Sequence, residues 1–74
     1  MNTEDEKERE RLHILYDELE AECLTAVKYI EALKVKELSN SQREDLIGEL
    51  SASITHLRIQ AEALEQGLEE AMAA

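Results

Sequence analysis

The sequence predicts an all-α protein: an antiparallel hairpin of two long helices with a coiled-coil-like seam, which dimerises into a four-helix bundle. Three observations support this prediction. The 74 residues include no proline and only two glycines, so little in the chain interrupts a helix. Apolar residues recur in alternating steps of three and four, a spacing typical of helices packed side by side. Short polar residues cluster once, at residues 39–41, and divide the chain into two similar halves.

The first helix is predicted to run from about Thr3 to Leu38. Thr3 and Glu6 have the spacing of a capping box, in which each side chain accepts a hydrogen bond from a free backbone N–H. The acidic residues 4–6 suit the positive end of the helix dipole. The apolar stripe of this helix consists of Leu12, Tyr16, Leu19, Cys23, Ala26, Ile30 and Leu33.

A turn at about residues 39–41 and a second helix from about Ser41 to Met72 complete a single domain spanning residues 1–74. Ser41 with Glu44 is the predicted capping box of the second helix, and Ser39 with Gln42 offers the same chemistry two residues earlier. The apolar stripe of this helix consists of Ile47, Leu50, Ile54, Leu57, Ala61, Leu64 and Leu68.

The apolar surface is wider than two helices can bury against each other. A short turn implies antiparallel packing, which sets Leu19 near Ala61 and Ala26 near Ile54. Five further apolar side chains widen the stripes: Leu15, Leu24, Val27, Val35 and Leu46. Leaving such surface wet costs about 25 cal/mol per Å². We therefore expect further helices to cover it, supplied by a second copy of the chain, by a different protein, or by both in turn.

Composition and charge exclude several classes of partner. The net charge of −10 would repel the phosphates of nucleic acids and of anionic membranes. No apolar run approaches the roughly 20 residues that span a bilayer, and the charged first residues do not resemble a signal peptide. A single cysteine, Cys23, fits a reducing compartment. These features predict a cytoplasmic protein that binds proteins, with neither nucleic acid nor membrane as partner.

Two further surfaces are candidates for protein contacts. A strip rich in small residues on the second helix suggests close approach of another helix, and it contains Gly48, Ala52, Thr55, Ile59, Ala63 and Gly67. Antiparallel packing also brings acidic residues of both helices to one level, a candidate docking surface for a basic partner formed by Asp17, Glu18, Glu20, Glu22, Glu62 and Glu65. Ordinary helix-forming alanines and a solvated acidic surface are the simpler interpretations.

Catalytic chemistry has little support in the sequence. Glu10 and His13 have the Glu-x-x-His spacing of di-iron bundles, but arginines flank the pair and the apolar stripes hold no carboxylate to complete a site. Cys23 lies on an apolar stripe, where a thiol packs as a small apolar group. No Ser-His-Asp set and no glycine-rich phosphate loop can be assembled. We expect no enzyme activity, no metal and no cofactor.

The predicted layout resembles that of the plasmid copy-control family to which Rop belongs, in which two hairpins form an antiparallel four-helix bundle that binds RNA. The segment Ala63–Leu68 is similar to one near the end of small hairpin co-chaperones of type III secretion needles. The first resemblance implies a dimeric bundle, although the acidic charge opposes RNA binding. The leading hypothesis is a non-enzymatic interaction module that acts as an adaptor, co-chaperone or antitoxin-like inhibitor. The alternatives are a purely structural homo-oligomer and, more remotely, a metal-binding bundle.

Overall fold

The computed structural model describes residues 3–73, which form a hairpin of two long helices. Helix α1 spans Thr3–Leu33 and helix α2 spans Asn40–Ala73, with residues 34–39 between them. The hairpin measures 57 × 16 × 13 Å. Leu12 lies against Gly67, and Tyr29 lies against Glu49, so the helices run antiparallel. The prediction of an all-helical hairpin is confirmed.

Helix α1 ends at Leu33, five residues before the predicted end at Leu38. The N–H of Lys34 donates to the carbonyls of Ile30 and Glu31, both at 3.2 Å, and the N–H of Val35 donates to that of Ala32 at 3.2 Å. Bonds to the third residue back tighten the last turn of a helix before the chain leaves it. No proline or glycine occurs in residues 34–38, so the sequence carries no local signal for this ending.

Helix α2 begins with the earlier of the two candidate capping boxes. The N–H of Gln42 donates to the hydroxyl oxygen of Ser39 at 3.1 Å, and the N–H of Ser39 donates to the side-chain oxygen of Gln42 at 3.0 Å. The carbonyl of Ser39 accepts the first helical bond, from Arg43. Ser39 is therefore the N-cap, and its reciprocal bonds with Gln42 satisfy two backbone donors.

The surface between the helices, here called the seam, uses only part of the predicted stripes. Its less exposed residues are Leu12, Leu15, Leu19, Glu22, Ala26, Tyr29 and Leu33 on α1, and Leu46, Leu50, Ser53, Leu57, Gln60, Leu64, Gly67 and Ala71 on α2. The other stripe residues are exposed, namely Tyr16, Cys23 and Ile30 on α1, and Ile47, Ile54, Ala61 and Leu68 on α2. Each helix thus turns one flank of its stripe toward the other helix and leaves the opposite flank in solvent.

The seam by itself does not enclose a core. Among residues 3–73 only Ala26 and Ser53 are buried, and one of these is polar. Seam leucines such as Leu19, Leu57 and Leu64 remain half-buried. A chain this short has little stability to spare when its apolar side chains stay partly wet.

The two glycines of α2 occupy opposite environments, which gives a matched pair of substitutions. A Cβ at Gly67 would meet the Leu12 side chain at 3.1 Å, whereas a Cβ at Gly48 would have nothing within 4 Å. We expect Gly48→Ala to raise the free energy of unfolding by about 1 kcal/mol through helix propensity. Gly67→Ala should gain less, because Leu12 has to shift. Urea denaturation followed by circular dichroism measures both, and equal gains would contradict the close approach at Gly67.

Candidate interaction surfaces

Three contacts mark one side of the hairpin, here called the closed face. The hydroxyl of Ser53 donates to Glu22 at 2.7 Å, and the hydroxyl of Tyr29 donates to Glu49 at 2.8 Å. Farther from the turn, Gly67 lies beside Leu15 as well as Leu12. Polar side chains thus bridge α1 and α2 along the middle of this face.

The Glu22 carboxylate is the centre of the polar layer in the seam. Its side chain is only 17% exposed, and it accepts the hydrogen bond of the buried Ser53. Its other oxygen lies 3.4 Å from Nδ1 of His56. Gln60, one helical turn farther along α2, has a buried side-chain oxygen that lacks a partner among the described residues. A buried polar layer of this kind favours a single register of the two helices.

The Tyr29–Glu49 hydrogen bond also stabilises the protonated phenol. It raises the pKa of Tyr29 above its ordinary value of 10.0, with smaller contributions from partial burial and from the negative charges of Glu49 and Glu22. Because the folded state holds this proton more tightly, the contact contributes at neutral pH and is lost as the pH rises through the pKa of Tyr29.

The other side of the hairpin, here called the open face, is apolar. Each of its residues comes directly after a seam residue in the sequence, as Cys23 comes after Glu22 and Ile54 comes after Ser53. One residue is a rotation of about 100° around a helix, so these side chains turn away from the closed face on both helices. The open face comprises Tyr16, Cys23, Val27, Ile30, Ile47, Ile54, Ala61 and Leu68, all exposed.

Polar residues border the open face on its two outer edges. They follow the central seam leucines by one position, as Glu20 follows Leu19 and Arg58 follows Leu57. The border residues are His13, Glu20 and Lys34 on the α1 side, and Glu44, Ser51, Arg58 and Glu65 on the α2 side. An apolar strip with a polar edge on each side is the usual composition of a protein–protein interface.

The strip of small residues on α2 does not form one surface. Gly67 faces the seam against Leu12, while Gly48 has open space around it. Ala52, Thr55 and Ile59 are exposed on the side of α2 away from α1. Ala63 is also exposed, but it lies closer to the closed face. The hydroxyl of Thr55 donates to the carbonyl of Ser51 at 3.2 Å, a contact within the helix. The close approach that the glycines suggested occurs at Gly67, inside the hairpin.

The predicted acidic surface is divided among several directions. Glu22 turns into the seam, and the other five members of the set are exposed. Glu20 and Glu65 border the open face, whereas Glu18 lies toward the closed face. Asp17 and Glu62 occupy the outer sides of their helices. The carboxylates are also spread along the hairpin, since the alignment that sets Glu22 beside His56 sets Glu65 level with His13. They therefore do not form one surface.

The residues considered for chemistry are all at the surface. Glu10 and His13 are exposed, and the His13 ring stacks edge-on against Tyr16 with centroids 5.6 Å apart. Within residues 3–73 no group of three or more potential metal ligands occurs. Cys23 is exposed on the open face, although its position in the stripe suggested burial.

No protein-family model, no curated protein and no solved structure matches this chain. Over residues 3–73, neither helix contains an apolar stretch long enough to cross a bilayer. The apolar spacing did not distinguish the open face from the seam. The signal for it was present in the width of the apolar stripes, which exceeds what one neighbouring helix can cover.

Proposed function

We propose that this protein is a non-enzymatic interaction module whose open face binds helices of a protein partner. A single observation carries the proposal: the large side chains Tyr16, Ile30, Ile47 and Ile54 lie exposed on one side of a hairpin that buries only Ala26 and Ser53 among its described residues. Contiguous apolar surface of this kind marks an interaction site in a monomeric protein.

The spacing of the open face indicates what kind of element it binds. Tyr16, Cys23 and Ile30 are seven residues apart, as are Ile47, Ile54 and Ala61. A seven-residue repeat keeps an apolar row facing a neighbouring helix when the two helices coil gently around each other. The partner surface is therefore helical, apolar along its centre, and long enough to follow several turns.

An adaptor, a co-chaperone and an antitoxin-like inhibitor all work in this way, by covering apolar helices of another protein in the cytoplasm. The acidic charge of −10 adds a preference for neutral or basic partners and disfavours nucleic acid and anionic membranes. Cofactors have no part in the proposed activity. Binding, and the burial that accompanies it, is the whole function.

A purely structural homo-oligomer is the second candidate. The half-buried seam leucines Leu19, Leu57 and Leu64 favour it, because a second hairpin laid on the open face would complete their burial. The product would be a four-helix bundle with coiled-coil-like packing, built by the commonest oligomer symmetry.

Site-specific photocross-linking tests the proposal. A photoreactive amino acid replaces Ile54 on the open face or Ile59 on the outer side of α2, two positions with similar exposure of 53% and 58%. Irradiation of cells that produce the protein should give adducts of defined mass from position 54 and few from position 59. Equal labelling at the two positions, or none at position 54, would refute the open face as the binding surface.

A further inference from the structure

We infer that the open face accepts a second copy of this chain, with both turns at the same end, so that α1 of each copy packs against α2 of the other. The inference rests on the proposed function of the open face as a binding surface, takes the second candidate above, a second copy of the chain, as what binds there, and adds its orientation. It depends on the area of the open face, on the alignment of the two helices, and on the charges along the borders.

The hairpin is large enough to supply the area that a stable dimer needs. It extends over 57 × 16 Å, so the whole side that carries the open face projects to roughly 900 Å², comparable with the ~800 Å² per partner of a standard interface. Its centre carries no charged residue. The net charge of −10 is carried elsewhere on the surface and therefore does not prevent two open faces from meeting.

The contacts on the closed face fix which residues of the two helices lie at the same level. Tyr29 contacts Glu49, Glu22 contacts both His56 and Ser53, and Leu12 lies against Gly67, so residues at one level have numbers that add to about 78. By this alignment Glu20 is level with Arg58. The pairs His13 with Glu65 and Lys34 with Glu44 obey the same rule.

Within one hairpin these border residues lie on opposite outer edges, and neither Glu20 nor Arg58 makes an ion pair among residues 3–73. If a two-fold axis parallel to the helices relates two copies whose open faces meet, α1 of each copy packs on α2 of the other. Rotation about this axis does not move residues along the helix direction, so residues that share a level within one hairpin also share it across the interface. Glu20 then faces Arg58 of the second copy, and His13 and Lys34 face the second copy's Glu65 and Glu44. Glu20 and Arg58 thus meet opposite charges. Glu65 meets His13, and Glu44 meets Lys34, whose Nζ also lies 3.9 Å from Glu31 of its own chain.

The opposite orientation brings like charges together. A two-fold axis perpendicular to the helices would place the turns at opposite ends and lay α1 on α1 of the second copy. Glu20 lies near the middle of the hairpin, so it would meet Glu20 of the second copy, and Arg58 would meet Arg58. Charges at these flanking positions set partner choice and orientation in packed helices. The border charges therefore select the arrangement with both turns at one end.

Solution mass tests whether the second copy is the partner. Sedimentation equilibrium of the full chain under reducing conditions should give a helical species of twice 8.4 kDa over a dilution series. A monomer throughout would overturn the inference. If photocross-linking at position 54 still captured another protein, the proposed function would survive that result, so the two failures are distinguishable.

Cross-linking tests the orientation. Two single-cysteine proteins, Cys23→Ala/Glu20→Cys and Cys23→Ala/Arg58→Cys, are treated with a short bis-maleimide, separately and as an equal mixture. We expect a covalent dimer from the mixture only, because each new thiol faces the other variant's thiol. Covalent dimers from either protein alone would establish the opposite orientation and overturn the inference.

Charge reversal supplies a test that leaves the apolar contacts intact. Glu20→Arg should raise the dissociation constant of the dimer on the order of tenfold, because two complementary pairs become repulsive. Adding Arg58→Glu should restore the original affinity. Glu18→Arg is the matched control, since it changes the net charge equally from a position toward the closed face. Equal effects of Glu20→Arg and Glu18→Arg would contradict the pairing.

Discussion

Replacing Leu57 with alanine should lower the free energy of unfolding by about 2–5 kcal/mol. Leu57 lies in the seam and is half-buried in the hairpin, so its removal leaves a gap between α1 and α2. The lower end of the range applies to an isolated hairpin, and the upper end applies if further helices complete the burial. Urea denaturation followed by circular dichroism at several protein concentrations measures the loss.

Ile59→Ala is the control for this substitution. Ile59 is on the same helix, two residues from Leu57, but its side chain is 58% exposed on the outer side. Its truncation should therefore cost less than about 1 kcal/mol, as surface substitutions usually do. Similar losses from Leu57→Ala and Ile59→Ala would show that Leu57 does not pack between the helices.

Replacing Ile54 with aspartate should abolish assembly through the open face. If a partner covers Ile54, the new carboxylate becomes buried in an apolar interface without a counter-charge, which costs several kcal/mol. The hairpin alone would tolerate the change, because Ile54 is 53% exposed there. Sedimentation equilibrium should report the monomer mass, and helicity should fall with the loss of packing.

Ile59→Asp separates this effect from the intrinsic preference of aspartate against helices. Both substitutions place the same side chain in the interior of α2 at nearly equal exposure, and they differ only in the face that they alter. We expect Ile59→Asp to keep the mass of the unsubstituted protein. Dissociation by both variants, or by neither, would argue against an interface at the open face.

The apolar spacing predicted the two helices and their antiparallel alignment correctly, but not the flank through which they meet. Ala61 and Ile54 were expected to face Leu19 and Ala26, yet both are exposed. On each helix the apolar side chains occupy three adjacent rows along the helix, and only two of these rows face the other helix in the hairpin. Tyr16 and Cys23 were assigned to the seam because they are apolar, yet the hairpin turns Leu15 and Glu22 inward instead.

Glu22 explains why the choice of flank was not visible in the sequence. A carboxylate is a poor candidate for a helix interface unless it has a hydrogen-bond partner. That partner, Ser53, is 31 residues away and becomes a neighbour only after the chain has folded back. The end of α1 at Leu33 is similar, because no proline or glycine marks it. Both features depend on the hairpin as a whole.

The capping box of Ser39 and Gln42 lies at the turn, and this position bears on the order in which the contacts of the hairpin form during folding. Tyr29 and Glu49 are 20 residues apart in the chain, Glu22 and Ser53 are 31 apart, and contacts toward the free ends close still longer loops. Loop-closure entropy increases with loop length, so contacts near Ser39 form most readily and the others follow in order. We therefore expect the folding nucleus to lie at the turn. The reciprocal bonds of Ser39 and Gln42, distant from most of the open face, should then influence how quickly that face is assembled.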